Sequence, residues 1–150
     1  MTERSITHAT FVVEKTYDAA PERVYSAWSR PEARERWFFH VGEWPVAEAQ
    51  HDFREGGNEI GRFQPEAGGP IYINDARYYD IAPGERVLFA YQMYENGKRL
   101  SVSVTTVEFK AEGSGTRLVL TEQGAYFDGD DPEGRKAGWT ELTERLEREI

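Results

Sequence analysis

Two charged residues fall where strand alternation turns them inward. Lys15 shares its register with Phe11, Val13 and Tyr17, and Glu122 shares its register with Leu118 and Leu120. A carboxylate facing an enclosed space stays ionised only when a cation pairs with it, and there it orients a ligand or acts as an acid or base. Lys15 and Glu122 are therefore candidate ligand-binding residues, and Glu122 is the candidate catalytic group. The plainer reading places each near a strand end, snorkelling to water or held in a structural ion pair. The side chains best suited to wall an apolar pocket are aromatic: Trp37, Tyr78, Tyr91, Phe127 and Trp139, with Leu142 one turn beyond Trp139. Trp28, Trp44 and Tyr126 belong to the same pool, which also has a core to fill. Tyr126 and Phe127 are expected on the loop before the last helix, as a gate or a plug.

Other chemistries find little support. His8, His40 and His51 have no spacing that sets two ligands on one face, so no metal site is expected. His51 and Asp52 are adjacent on a strand and point to opposite faces. There is no nucleophile elbow, and the Gly56-Gly57 and Gly68-Gly69 pairs lack the lysine and the strand-to-helix setting of a phosphate loop. They read as turns, and no cofactor is implied.

The elements that must position these residues are legible from period and punctuation. A strand runs from Ala9 to Tyr17, and Pro21 and Pro31 each open a short helix, a position where proline loses no hydrogen bond. Val24, Tyr25 and Trp28 mark the buried side of the first; Trp37 and Phe38 close the second. Arg34 and Arg36, beside Glu32 and Glu35, read as a solvated mixed-charge face. Residues 50–63 form a hairpin about Gly56-Gly57. Strands then run from Ile71 to Ile81, Val87 to Tyr94, Leu100 to Phe109 and Thr116 to Gln123, separated by Pro83-Gly84, Asn96-Gly97 and Gly113-Ser114-Gly115. Asp131 is a good N-cap and Pro132 a good first residue for a long final helix, whose Trp139, Leu142, Leu146 and Ile150 make an apolar stripe opposite Glu141, Glu144, Glu147 and Arg148.

Composition narrows the class. One hundred and fifty residues make a single domain, 1–150, with 18 Lys plus Arg against 27 Asp plus Glu and a formal net charge of -9. That charge argues against nucleic acid and anionic membrane surfaces as partners. With no cysteine, disulfides and thiolate chemistry are excluded. The polar opening residues and the lack of a long apolar run suggest a cytoplasmic protein.

Taken in order, several spaced motifs resemble the START-like, or SRPBCC, helix-grip superfamily. They are Ala20-Pro-Glu-Arg-Val-Tyr-Ser-Ala-Trp28, Trp37-Phe38, residues 52–57, residues 79–87, residues 104–109, residues 115–122 and Gly138-Trp139 with Leu142 and Leu146. More narrowly, the chain is similar to the family of the C-terminal domain of the activator of the 90-kDa heat-shock-protein ATPase. The resemblance implies an α+β fold in which a curved antiparallel sheet of about six or seven strands wraps a long C-terminal helix, with two short helices after the first strand. It further implies a cavity between sheet and helix. Lys15 stands where many relatives have arginine, and Asp80 where they often have glutamate. Three functions follow as expectations: binding of a small apolar or aromatic molecule, an enzyme of the polyketide-cyclase or hydrolase kind, and a chaperone-interaction module. The chain is expected to be a monomer or homodimer.

Overall fold

A computed structural model describes residues 3–39 and 46–150. Trp44 and His40 lie outside the described residues. Seven antiparallel strands form one sheet: β1 (Ile6–Tyr17), β2 (Val46–His51), β3 (Asn58–Gln64), β4 (Tyr72–Ala82), β5 (Arg86–Glu95), β6 (Lys98–Glu112) and β7 (Gly115–Phe127). Their spatial order is β1-β7-β6-β5-β4-β3-β2, so the segment after β1 carries the chain from one edge of the sheet to the other. Hairpin turns make the remaining connections. Asn96 and Gly97, both at positive φ (48° and 81°), form the tight turn between β5 and β6 that the Asn-Gly pair predicts. Breaks in register leave Tyr79 and Leu100 without a partner, and such bulges bend a strand and sharpen its twist.

Alternation sorts the sheet into two faces. Phe11, Val13, Val107, Phe109, Leu118, Leu120, Phe89 and Tyr78 are buried on the inner face, while Val12, Val102, Val104 and Tyr79 are exposed on the other. The helices cover the inner face. Helix α1 (Pro21–Ser29) and the single turn α2 (Pro31–Arg34) each begin at a proline, and α2 runs into a wide π turn, Glu35–Phe39, that buries Trp37, Phe38 and Phe39 together. Helix α3 (Pro132–Leu146) starts as the sequence predicts: Asp131 accepts a hydrogen bond from the Glu133 amide at 3.0 Å, and Pro132 opens the first turn. Its stripe of Trp139, Leu142 and Leu146 faces the sheet, and the Tyr17 hydroxyl donates to the Thr143 carbonyl at 2.6 Å, tying β1 to the middle of α3. Trp139 stacks near Trp28 and Phe38, which joins α3 to the aromatic cluster of α1 and the π turn.

Two local expectations are corrected here. Strand β7 continues to Phe127, so Tyr126 and Phe127 are strand residues paired with Thr7 and Ile6 and not part of a loop. The hydrogen-bonded ladder to β1 overrides the weak strand signal of Gly124-Ala125. Arg34 is buried and only Arg36 is solvated, because a partner 25 residues away, Glu59 on β3, meets Arg34 inside. A lone helical turn carries no period from which that inward direction could be read.

Candidate functional site

Between α3 and the inner face of β3–β5 lies a pocket of about 240 Å³. Phe38 of the π turn, Phe63 of β3, Tyr72 and Asn74 of β4, Tyr91 and Met93 of β5, and Arg135, Trp139, Leu142 and Arg145 of α3 form its wall. Pro65, Gly138 and Glu141, all exposed, stand at its mouth. Helical spacing explains the α3 contribution: 135, 138, 139, 142 and 145 are successive positions on one face. Gly138 matters there because a Cβ at that position would meet no atom within 4 Å, leaving the mouth open.

Behind this wall sits Glu122, fully buried on β7. Its carboxylate accepts from Tyr126 Oη at 2.5 Å, Trp139 Nε1 at 3.0 Å, Ser103 Oγ at 3.1 Å and Thr105 Oγ1 at 3.4 Å, and also from the Tyr91 hydroxyl. Four elements therefore converge on one carboxylate, which suits the rule that a buried charge must be hydrogen-bonded. Tyr126 reaches Glu122, four residues back along its own strand, by laying its ring over Gly124; a Cβ at Gly124 would lie 2.9 Å from the tyrosine ring and 2.6 Å from Ser103 Oγ. Arg135 completes the group. Its guanidinium donates to Ser101 Oγ (2.9 Å), Asp130 Oδ2 (2.9 Å) and, at 3.4 Å, Tyr91 Oη.

The electrostatics hold each group in a defined state. Burial first, and the Glu122 charge second, push the Tyr91 phenol well above its ordinary range. Tyr126 is pushed up by burial and by its bond to Glu122. For Arg135, burial opposes the charge, yet Tyr91, Glu122 and Asp130 raise its pKa on balance. At neutral pH the wall thus presents a protonated phenol, bonded on its far side to a carboxylate and flanked by a guanidinium. The single phenolic proton is committed to Glu122, so toward a bound molecule Tyr91 Oη offers lone pairs: it can accept a hydrogen bond, or take up a proton from the molecule while passing its own to Glu122.

A second buried polar cluster lies between α2 and the β2–β3 hairpin. Arg34 and Glu59 form a two-pronged pair, with Nη2 to Oε1 at 2.8 Å and Nε donating to Oε2. Tyr78 Oη donates to Glu59 at 3.0 Å, and His51 Nε2 lies 3.1 Å from both Glu59 and Tyr78 Oη. The guanidinium also lies 4.3 Å from the Phe38 ring centre and about equally close to Trp28 and Trp37 (5.1 and 5.0 Å). Burial, aided by Arg34, lowers the His51 pKa, so the imidazole is held neutral.

The residues singled out in the sequence separate into distinct places. Tyr91, Trp139 and Leu142 line the pocket, and Glu122 stands directly behind Tyr91 and Trp139. Four others stand elsewhere. Lys15 does point to the inner side, but near the end of an edge strand, where its ammonium pairs with Glu147 at 3.4 Å and lies 5.9 Å from the Tyr17 ring centre. Trp37 is core, its indole N–H bonded to the Ala27 carbonyl at 3.0 Å. Tyr78 belongs to the Arg34–Glu59 cluster. Phe127, opposite Ile6, borders a separate depression beside Arg4 and Lys98. Asn74 and Arg135 are among the pocket residues that sequence reasoning passed over. Both had a signal: Asn74 shares the inward register of Tyr72, Ala76 and Tyr78, and Arg135 lies one turn before Trp139. Among the described residues, no cluster of His, Asp and Glu suited to a metal ion occurs, and no helix is long and apolar enough to cross a membrane.

Comparison with known proteins agrees with this architecture. Residues 18–150 match the family model described as Activator of Hsp90 ATPase homolog 1-like protein. Among solved structures, the Mll3558 protein from Rhizobium loti is 43% identical, with 97% of this chain and 99% of that chain covered and a TM-score of 0.89. A protein from Rhizobium leguminosarum is 41% identical over 99% and 97% of the two chains, with a TM-score of 0.91. The CV1439 protein from Chromobacterium violaceum, 28% identical over 93% and 94%, superposes with a TM-score of 0.79. No curated protein matches.

Proposed function

The chain belongs to the Activator of Hsp90 ATPase homolog 1-like family, and from that premise we propose that it is a small-molecule-binding protein whose ligand occupies the pocket between α3 and the sheet. The observation that carries this reading is a largely apolar pocket backed by one fully hydrogen-bonded carboxylate, the usual division between affinity and orientation in ligand sites. Its volume of about 240 Å³ is that of about eight liquid waters. The ligand is accordingly a single ring with a short substituent, flat enough to lie along Trp139 and Phe38. Burial of its apolar surface supplies affinity at roughly 25 cal/mol per Å² before the cost of ordering.

A melting-temperature screen with small aromatic compounds tests the proposal, since a ligand that binds only the folded state must raise the transition. Gly138→Phe, which fills the mouth, should leave the fold intact and abolish the shift. A shift that survives in this variant would move the ligand elsewhere.

One observation favours a second reading, an enzyme of the polyketide-cyclase or hydrolase kind. The Tyr91 hydroxyl reaches the pocket wall while donating to Glu122, the arrangement of a proton relay in which the phenol takes a proton from a bound molecule and passes its own to the carboxylate. Turnover of a bound compound that Tyr91→Phe removes, with binding kept, would establish it; binding without turnover leaves the first reading in place.

A further inference from the structure

The pocket contains a polar side chain that the fold leaves unsatisfied. Asn74 is 9% exposed, and its Oδ1 has no hydrogen-bond partner. The cause is topological. Its cross-strand neighbours are Gly61 on β3 and Met93 on β5, neither of which carries an N–H or O–H in its side chain. Along its own strand, Ala76 has none, and the Tyr72 hydroxyl is turned to Glu95 at 3.4 Å. Gly61 cannot be replaced by a residue able to help, because a Cβ there would lie within 2.8 Å of the Phe39 and Phe63 rings. A buried carbonyl oxygen without a donor lowers stability, so a carboxamide kept at this point of an apolar wall calls for an explanation in what the pocket holds.

The other wall groups decide which chemistry would satisfy it. Arg145, on the facing helix, also has a buried and unpartnered Nε, while its Nη2 holds Glu141 at 2.9 Å. Arg135 adds a second guanidinium to the wall. The nearby carboxylates are already engaged: Glu141 by Arg145, Glu95 by Tyr72 and Glu122 by its five donors. The unspent capacity on the wall is thus one acceptor, Asn74 Oδ1, and one donor, the Arg145 Nε–H. We infer that Asn74 is the polar anchor of the pocket, and that the ligand is a small aromatic compound carrying a hydroxyl group, whose O–H donates to Asn74 Oδ1 while its oxygen receives the Arg145 guanidinium. This inference rests on the pocket being the ligand site.

Benzyl alcohol, benzyl methyl ether and ethylbenzene separate the possibilities, because the three share a ring and differ in the polar group: the alcohol donates and accepts, the ether only accepts, and ethylbenzene does neither. Each is titrated into the wild type, Asn74→Leu, Asn74→Ala and the blocked Gly138→Phe protein, with melting temperature and affinity recorded. The inference expects benzyl alcohol to bind the wild type more tightly than the ether or ethylbenzene. In Asn74→Leu that preference should shrink by about tenfold, the usual value of a buried hydrogen bond to a ligand. Ethylbenzene should bind this variant at least as well as the wild type, and the free variant should melt a few degrees higher because the unpaired oxygen is gone. Asn74→Ala, which only removes atoms, should show the same loss of preference if Leu proves too large. Equal affinity of the ether and the alcohol, or no preference for the alcohol over ethylbenzene, overturns the role of Asn74 while leaving the pocket as a binding site. No binding of any ring to the wild type overturns both.

Discussion

At the scale of single residues, the molecule places two buried carboxylates in different settings. Glu122 is surrounded by neutral donors, with Arg135 one residue removed, whereas Glu59 meets Arg34 directly. The consequences of losing each charge therefore differ. Glu122→Gln keeps the shape but weakens four or five hydrogen bonds to a charged acceptor, and should lower unfolding free energy by about 1–3 kcal/mol in urea. Glu59→Gln strands the Arg34 guanidinium in the interior and should lower it by about 3–5 kcal/mol, with much of the loss recovered when Arg34→Met is added. His51 gives a pH signature. Its folded pKa is depressed below the ordinary 6.5 by burial and by Arg34, so between the two values the unfolded chain binds the extra proton. Stability from this group is present above pH 6.5 and declines as pH falls through that value toward the folded pKa. His51→Phe should flatten the decline between pH 7 and 5, measured as denaturation midpoint against pH; an unchanged profile would assign the acid sensitivity to other groups. Sequence alone made Glu122 legible, because register with Leu118 and Leu120 turned it inward. It could not supply Arg34 or Glu59, whose pairing joins residues 25 positions apart on elements with no shared period.

At the scale of elements, α3 does two jobs. Its cap and its stripe seat it on the sheet, and its 135–145 face closes the pocket. Asp131→Ala should weaken the fold by about 1 kcal/mol through loss of the capping bond, while Gly138→Ala, free of steric contact, should strengthen it by roughly 0.5–1 kcal/mol. Thermal or chemical denaturation of the two single variants reads both signs. The strands, turns and capped helix were readable because hydrophobic period and turn chemistry are local. The end of β7 was not. Its Gly124 breaks the strand signal, yet the same glycine is what lets the Tyr126 ring lie back on Glu122. Gly124→Ala should therefore displace Tyr126 and destabilise the protein more than a surface glycine substitution would.

For the molecule as a whole, the inner face carries four buried tyrosines whose phenols are pushed above their ordinary range, chiefly by burial: Tyr17, Tyr78, Tyr91 and Tyr126. A raised folded pKa gives stability that is complete below about pH 10 and is lost as pH rises toward the folded value, because the unfolded phenols ionise first. Alkaline unfolding should accordingly set in above pH 10, with tyrosinate absorbance appearing together with loss of tertiary signal and not before it. The helix-grip architecture was foreseen from the order of motifs, since each proline, turn and stripe agreed with the same fold. Which residues would meet across the pocket was less accessible: Lys15 points inward as expected but ends on Glu147 outside the pocket, Phe127 follows the inward Tyr126 on β7 and so faces the other side of the sheet, and only the docked helix defines the wall.

The central claim is that a small aromatic molecule lodges against Trp139. Trp139 Nε1–H, bonded to Glu122, lies at the pocket, whereas the Trp37 indole N–H is turned to the Ala27 carbonyl in the core. An NMR titration that follows the assigned indole N–H signals during addition of benzyl alcohol is the most direct test. A saturable shift of the Trp139 signal, larger than that of Trp37 and absent in Gly138→Phe, is the predicted result. An unmoved Trp139 signal at saturating ligand, or equal shifts of both indoles, would contradict it.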